Sequence, residues 1–136
     1  MIAMPMSRVQ PPEVPVLLLR TPWAMRLGIA SRQRVLNALC RMLINTAYES
    51  VKERFKDQRP IFEYFRHVRN AASHGGTFTF WSDEPTKPAE WRGSRIDHKQ
   101  TGRANPLFGT SCFFDFLEIG DVLLLLWDIE QLLLTE

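Results

Sequence analysis

Residues Arg69-Asn70-Ala71-Ala72-Ser73-His74-Gly75-Gly76 place a guanidinium, a carboxamide and an imidazole close together, followed by two glycines. An arginine fork grips phosphate and keeps its charge at any physiological pH. An imidazole exchanges protons near neutrality. Together they are the groups needed to cleave RNA without a metal. Asn70 and His74 stand four residues apart and share a helix face, so Asn70 can orient the phosphate or the ring. Arg69 and His74 are five apart, which on an ideal helix separates them by about 140°. One helix is a poor way to bring both onto one phosphate.

The spacing alone is a weak signal. With three histidines in 136 residues, an arginine at any fixed distance before a histidine arises by chance roughly 0.3 times. Arg92 and His98 form a second such pair. Context separates the two: Arg92 precedes Gly93 in an irregular region, whereas Arg69 and His74 fall on a helix. A histidine in a last helical turn also serves simply to bond the final carbonyls. Other pairings are weaker. His67 and His74 lie about 10 Å apart along a helix axis, too far to share a metal ion. Glu63 and His67 read as a surface pair. Arg66, Ser73, Arg92 and Arg95 are candidate RNA contacts. Trp81, Trp91, Arg92, Arg95 and Lys99 interleave aromatics with charge as single-strand binders do, although packing explains the tryptophans equally well. No Gly-rich phosphate loop, GxSxG or HExxH occurs, and neither a metal nor a cofactor is expected.

Three helices must position these residues. Residues 1–15 hold Pro5, Pro11, Pro12 and Pro15 and read as an irregular arm. Residues 16–28 fit a short helix or an extended segment. Ser31 suits the N-cap of a helix running to about Asp57, with Leu36, Leu39, Cys40, Leu43, Ala47 and Val51 as its apolar stripe. Pro60 opens a second helix, residues 60–74. Its apolar face is Ile61, Phe65, Val68 and Ala72; its polar stripe is Glu63, His67, Asn70 and His74, expected in solvent or a cleft. Gly75 suits the position just past its end. Residues 77–112 are punctuated by proline and glycine and read as an irregular insertion with a short hairpin, Thr77–Trp81 alternating at the strand period. Residues 113–134 form the last helix, starting at Gly120-Asp121 after a turn over Phe113–Leu117. Leu123 to Leu126 cover all its sides, so it is either central to the core or half buried in a partner.

Length and composition fit one mainly α-helical domain over residues 1–136. Cys40 and Cys112 are too few and too distant for a disulfide framework. Val16–Leu19 is too short for a signal-peptide core, and Val122–Trp127 soon meets Asp128 and Glu130; no membrane association and a cytoplasmic location are expected. The net charge of +2 hides a basic N-terminal half and a stretch after Arg103 with no basic residue. A basic half attracts polyanions.

In this helical setting Arg69-Asn70-Ala71-Ala72-Ser73-His74 resembles the HEPN superfamily of small α-helical domains. Its ribonuclease members carry an arginine, a polar residue, three variable residues and a histidine near the end of the third helix. The resemblance covers about residues 31–74 and 113–134; the Pro-rich arm and the 77–112 insertion depart from it. It implies a four-helix bundle and a homodimer whose two motifs meet at a two-fold axis. It also implies a metal-independent endoribonuclease of toxin or defence type, with Arg69, Asn70 and His74 catalytic: Arg69 would hold the scissile phosphate and offset its developing charge, and His74 would serve as general acid or base. RNA would be its substrate, and an antitoxin or nucleotidyltransferase-type protein its partner. The alternative is a non-catalytic module of the same kind that binds a nucleotide, RNA or protein, or a structural homodimer.

Overall fold

The computed structural model describes residues 22–54 and 59–135, with side chains from Arg32 onward. The Pro-rich arm and the Val16–Leu19 run lie outside the described residues. The chain falls into two units, Met1–Arg32 and Gln33–Glu136; the architecture below is that of the second. It is mainly helical, with one two-stranded antiparallel hairpin.

Helix α1 spans Pro22–Val51, so Ser31 is interior rather than a cap. Proline at the first helical position costs no hydrogen bond, and its fixed φ suits the first turn. The α-helix runs to Val51 and tightens into a 3₁₀ turn over Lys52–Arg54; the expected end at Asp57 lies outside the described residues. The stripe facing the core is narrower than the periodicity suggests. Cys40 and Ile44 are buried, whereas Leu39 and Leu43 keep 46% and 42% of their surface exposed.

Helix α2 spans Pro60–Ser73, with Pro60 in its first turn. His74 is its C-cap residue, with its N–H on the Asn70 and Ala71 carbonyls. Gly75 follows at φ +72 and Gly76 at φ +87. The Gly76 N–H donates to the Ala71 carbonyl at 2.7 Å, the closing bond of a Schellman-type end. Gly75 thus holds the place expected of it. The two-faced expectation for α2 holds only at its end, where Asn70 is half-buried and His74 exposed. Tyr64, Phe65, Val68, Ala71 and Ala72 are buried, but so are Glu63 and His67 of the polar stripe. Residues 77–112 cover that side.

The insertion is well packed. Phe78, Phe80, Ala89, Trp91, Ile96 and Cys112 join the core. Thr77–Trp81 keeps the burial alternation of a strand, yet its pairing reduces to a single bridge, Thr77 with Ser111. The hairpin lies further on, β1 (Glu90–Trp91) against β2 (Ser94–Arg95). Arg92 and Gly93 form its loop, both at positive φ, 48° and 83°, as a two-residue I′-type connection requires. Helix α3 spans Ile119–Leu134, one residue earlier than expected. The Asp121 carboxylate accepts the Glu118 N–H at 3.0 Å, half of a capping box. Val122, Leu125 and Ile129 are buried, whereas Leu123, Trp127 and Leu134 remain mostly exposed.

Two glycines allow a direct comparison. A Cβ on Gly75 would meet nothing within 4 Å, whereas one on Gly102 would lie 3.1 Å from the Ser82 Cα, a backbone atom with little room to yield. Both positions have left-handed φ, which costs a non-glycine residue about 1–2 kcal/mol. Gly75→Ala is therefore expected to lower unfolding stability by about 1 kcal/mol, and Gly102→Ala by clearly more. Urea denaturation of both variants measures the difference.

Candidate functional site

The end of α2 sends the motif residues in opposite directions. Arg69 turns toward α1. Its Nη2 donates to Glu49 at 3.1 Å, and its guanidinium lies 5.2 Å from the centroid of the Tyr48 ring. Its Nε is buried without a hydrogen-bond partner. Lys52, and next Arg69, hold the Glu49 carboxyl below the usual carboxylate range. Ser73 follows Arg69 to this side and donates to Asn45 at 3.0 Å. Arg41 crosses the same junction, its Nε donating to the Ala72 carbonyl at 2.8 Å. The contact between α1 and the last turns of α2 is therefore largely polar.

Asn70 and His74 turn the other way. They line a cavity of about 210 Å³ together with Thr79, Phe80, Trp81, Glu84 and Phe108 of the insertion. His74 is exposed at its mouth. Thus Asn70 and His74 are brought together, as their four-residue spacing predicts, and Arg69 is kept apart from them, as its five-residue offset predicts.

The far wall of the cavity is a tight turn. The Glu84 N–H donates to the Trp81 carbonyl at 2.9 Å, and the Trp81 N–H donates back to the Glu84 carboxylate at 3.2 Å. The Glu84 carbonyl accepts the Gly102 N–H at 2.7 Å. Arg66 ties this turn to α2, donating to Glu84 at 3.1 Å and to Glu63 at 3.0 Å. Although burial opposes it, the Trp81 amide and then Arg66 keep the Glu84 carboxyl below its ordinary range. Glu63 pairs with Arg66 rather than with His67, so the expected surface pair of Glu63 and His67 is absent. Trp81 holds no comparable packing position: 78% of its surface is exposed at the cavity edge.

The other candidate RNA contacts are already engaged. Arg92 chelates Asp128 of α3, Nε at 2.8 Å and Nη2 at 3.2 Å. The Trp91 indole donates to the same carboxylate at 2.9 Å. Trp91 therefore packs the hairpin onto α3. Arg95 pairs with Asp97 at 3.0 Å. Among the described residues no three His, Cys, Asp or Glu side chains are grouped to hold a metal ion, and no helix is long and apolar enough to cross a membrane.

Sequence reasoning passes over Glu84 and places His67 on the surface. Glu84 sits among prolines in a region without periodicity; its signal is only the three-residue step from Trp81. His67 is 1% exposed, and neither ring nitrogen has a hydrogen-bond partner. Its ring meets the edge of Phe80 at 5.4 Å between centroids. A buried imidazole without partners is held neutral by its surroundings.

No family model, no curated protein and no solved structure matches this chain.

Burial, and then the neighbouring Arg66 charge, lower the His67 pKa to about 4, against an ordinary value of 6.5. Below pH 6.5 the unfolded chain then binds this proton more readily than the folded one. His67 is thus expected to withdraw stability as the pH falls from about 6.5 toward 4, by as much as about 3 kcal/mol, and to change nothing above that window. Urea midpoints of the wild type and His67→Leu, taken from pH 7 to pH 4, check this. The leucine variant should lose less stability across that range; equal slopes for the two proteins would mean that water reaches the ring.

Proposed function

We propose that this protein is an HEPN-like, metal-independent endoribonuclease of toxin or defence type, acting as a homodimer in the cytoplasm. The reading takes α1, α2 and α3 as parts of an HEPN-like four-helix bundle interrupted by residues 77–112. It assigns His74 the proton transfers, Arg69 the scissile phosphate, and Asn70 the orientation of one or the other. The observation that carries it is the split at the end of α2. Asn70 and His74 open on a cavity, while Arg69 stands on the other side of the helix beside Glu49. A single chain cannot close both groups on one phosphate. Two chains related by a two-fold axis can offer the arginine of one and the histidine of the other.

The chemistry follows from those groups. A neutral imidazole takes the proton from a ribose 2′-hydroxyl. The 2′-oxygen attacks phosphorus, the bond to the 5′-oxygen breaks, and an imidazolium supplies that oxygen with a proton. The products are a 2′,3′-cyclic phosphate and a 5′-hydroxyl. Arg69 must leave Glu49, or share its remaining N–H groups, to hold the phosphate. A non-catalytic binding module of the same kind is the second reading. The occupied Arg69 favours it, together with the carboxylate partners of Arg66, Arg92 and Arg95.

An RNA oligonucleotide incubated with the protein in excess chelator separates the two. The ribonuclease should cut RNA and leave the all-deoxy strand intact. His74→Ala should lose roughly 10²-fold or more of the rate, Arg69→Ala should also be impaired, and specific activity should fall on dilution as the dimer dissociates. Cleavage that is equal in all three proteins, or that extends to DNA, would sink the assignment; binding without cleavage by the wild type would establish the module instead.

A further inference from the structure

The cavity beside His74 has chemistry of its own. Its apolar lining comes from Phe80 and Phe108, and Trp81 leaves its indole largely uncovered at the edge. An exposed indole over an apolar recess is a platform for a planar ring, because every nucleobase has a π face to stack. At about 210 Å³ the space suits one ring system, below the roughly 300–1,000 Å³ of drug-sized sites.

The polar groups select which ring. Glu84 lines the cavity as a carboxylate, an acceptor with no hydrogen to give. Its oxygens each already accept one bond, from the Trp81 N–H and from Arg66, and each retains a further lone pair. The Arg66 charge is shared between two carboxylates, Glu63 and Glu84, which leaves that cluster of three net negative; Arg103 adds a cation over the Phe108 ring, 5.7 Å from its centroid. A carboxylate wall favours a base edge rich in donors. Guanine alone presents two adjacent donors, the ring N1–H and the exocyclic amine, beside a carbonyl that the Asn70 amide can meet. Adenine and cytosine place a ring acceptor next to the amine, and uracil has a single ring donor.

We propose that this cavity is a base subsite that takes one unstacked guanine, placed between Trp81 and the Phe80–Phe108 lining and read by Glu84 and Asn70. It deepens, and in that sense rests on, the reading of the protein as one that acts on RNA, and it puts the selected base next to His74. Five of the seven lining residues come from the insertion, so the subsite depends on a segment that the helical framework alone does not supply.

The test is equilibrium binding of the four ribonucleoside 5′-monophosphates to the full chain, followed by calorimetry or NMR in the absence of metal. GMP should bind at least about tenfold more tightly than AMP, CMP or UMP, the discrimination expected of one bidentate contact. Trp81→Ala, at an exposed position, should weaken GMP binding about tenfold or more. Glu84→Gln should reduce the preference for guanine to a few-fold; since Glu84 also holds Arg66, its melting temperature is measured alongside, and Trp81→Ala carries the test if that variant unfolds. Equal affinity for the four nucleotides, no binding at millimolar concentration, or indifference to Trp81→Ala would overturn the subsite. GMP selectivity in a protein that leaves RNA uncut would refute the nuclease reading and keep the subsite. Cleavage of RNA without regard to base would do the reverse.

Discussion

Helix α2 carries Glu63 and His67 on the side that a two-faced helix gives to water, and both are buried. That constraint organises the rest of the structure. A charged carboxylate and an imidazole cannot be covered by aliphatic side chains alone without a large desolvation cost. Glu63 is met by Arg66, Arg66 is shared with Glu84, and Glu84 is set by the turn it forms with Trp81. His67 receives no such partner and stays neutral against Phe80. Covering the polar side of α2 thus draws the 81–84 turn into place, and the cavity beside Asn70 and His74 is a by-product of that turn.

The aromatic residues of α2 follow simpler rules. Phe65 meets Tyr48 of α1 edge-on at 5.3 Å, and Tyr64 meets Trp91 of the hairpin at 5.7 Å between ring centroids. Aromatic pairs in such tilted geometries add to the burial of their area. The Tyr64 hydroxyl, which would otherwise be an orphan in the core, shares a 2.8 Å hydrogen bond with Ser94. Hairpin, α2 and α3 are thereby joined, since Trp91 and Arg92 both end on Asp128.

Local rules made part of this legible in advance. Pro60 and Gly75 bracket α2 because each acts through its own backbone, at a position where only local geometry matters. The divergence of Arg69 from Asn70 and His74 is fixed by helical pitch and needs no tertiary information. The beginning of α1 was hidden because Ser31 resembles a cap, while Pro22 opens a helix that runs through it. The hairpin was hidden for a different reason: Arg92-Gly93 lacks the asparagine or aspartate that usually announces a turn with two positive φ angles. The burial of His67 was the hardest to foresee. Periodicity reports which face of a helix is polar, and the insertion that covers that face follows in sequence without any periodicity.

The insertion is anchored at two places along its length. Near one end Glu84 and Phe80 meet α2, and further on Trp91 and Arg92 meet α3. Between these anchors Thr86 and Pro88 are exposed. On one side of that point lie α1 and α2, on the other the hairpin and α3, and residues of both sides share one core. Backbone bonds cross that point through space as well, Gly102 to Glu84 and Phe78 to Thr110, so the two parts are tied by packing in addition to the chain that links them.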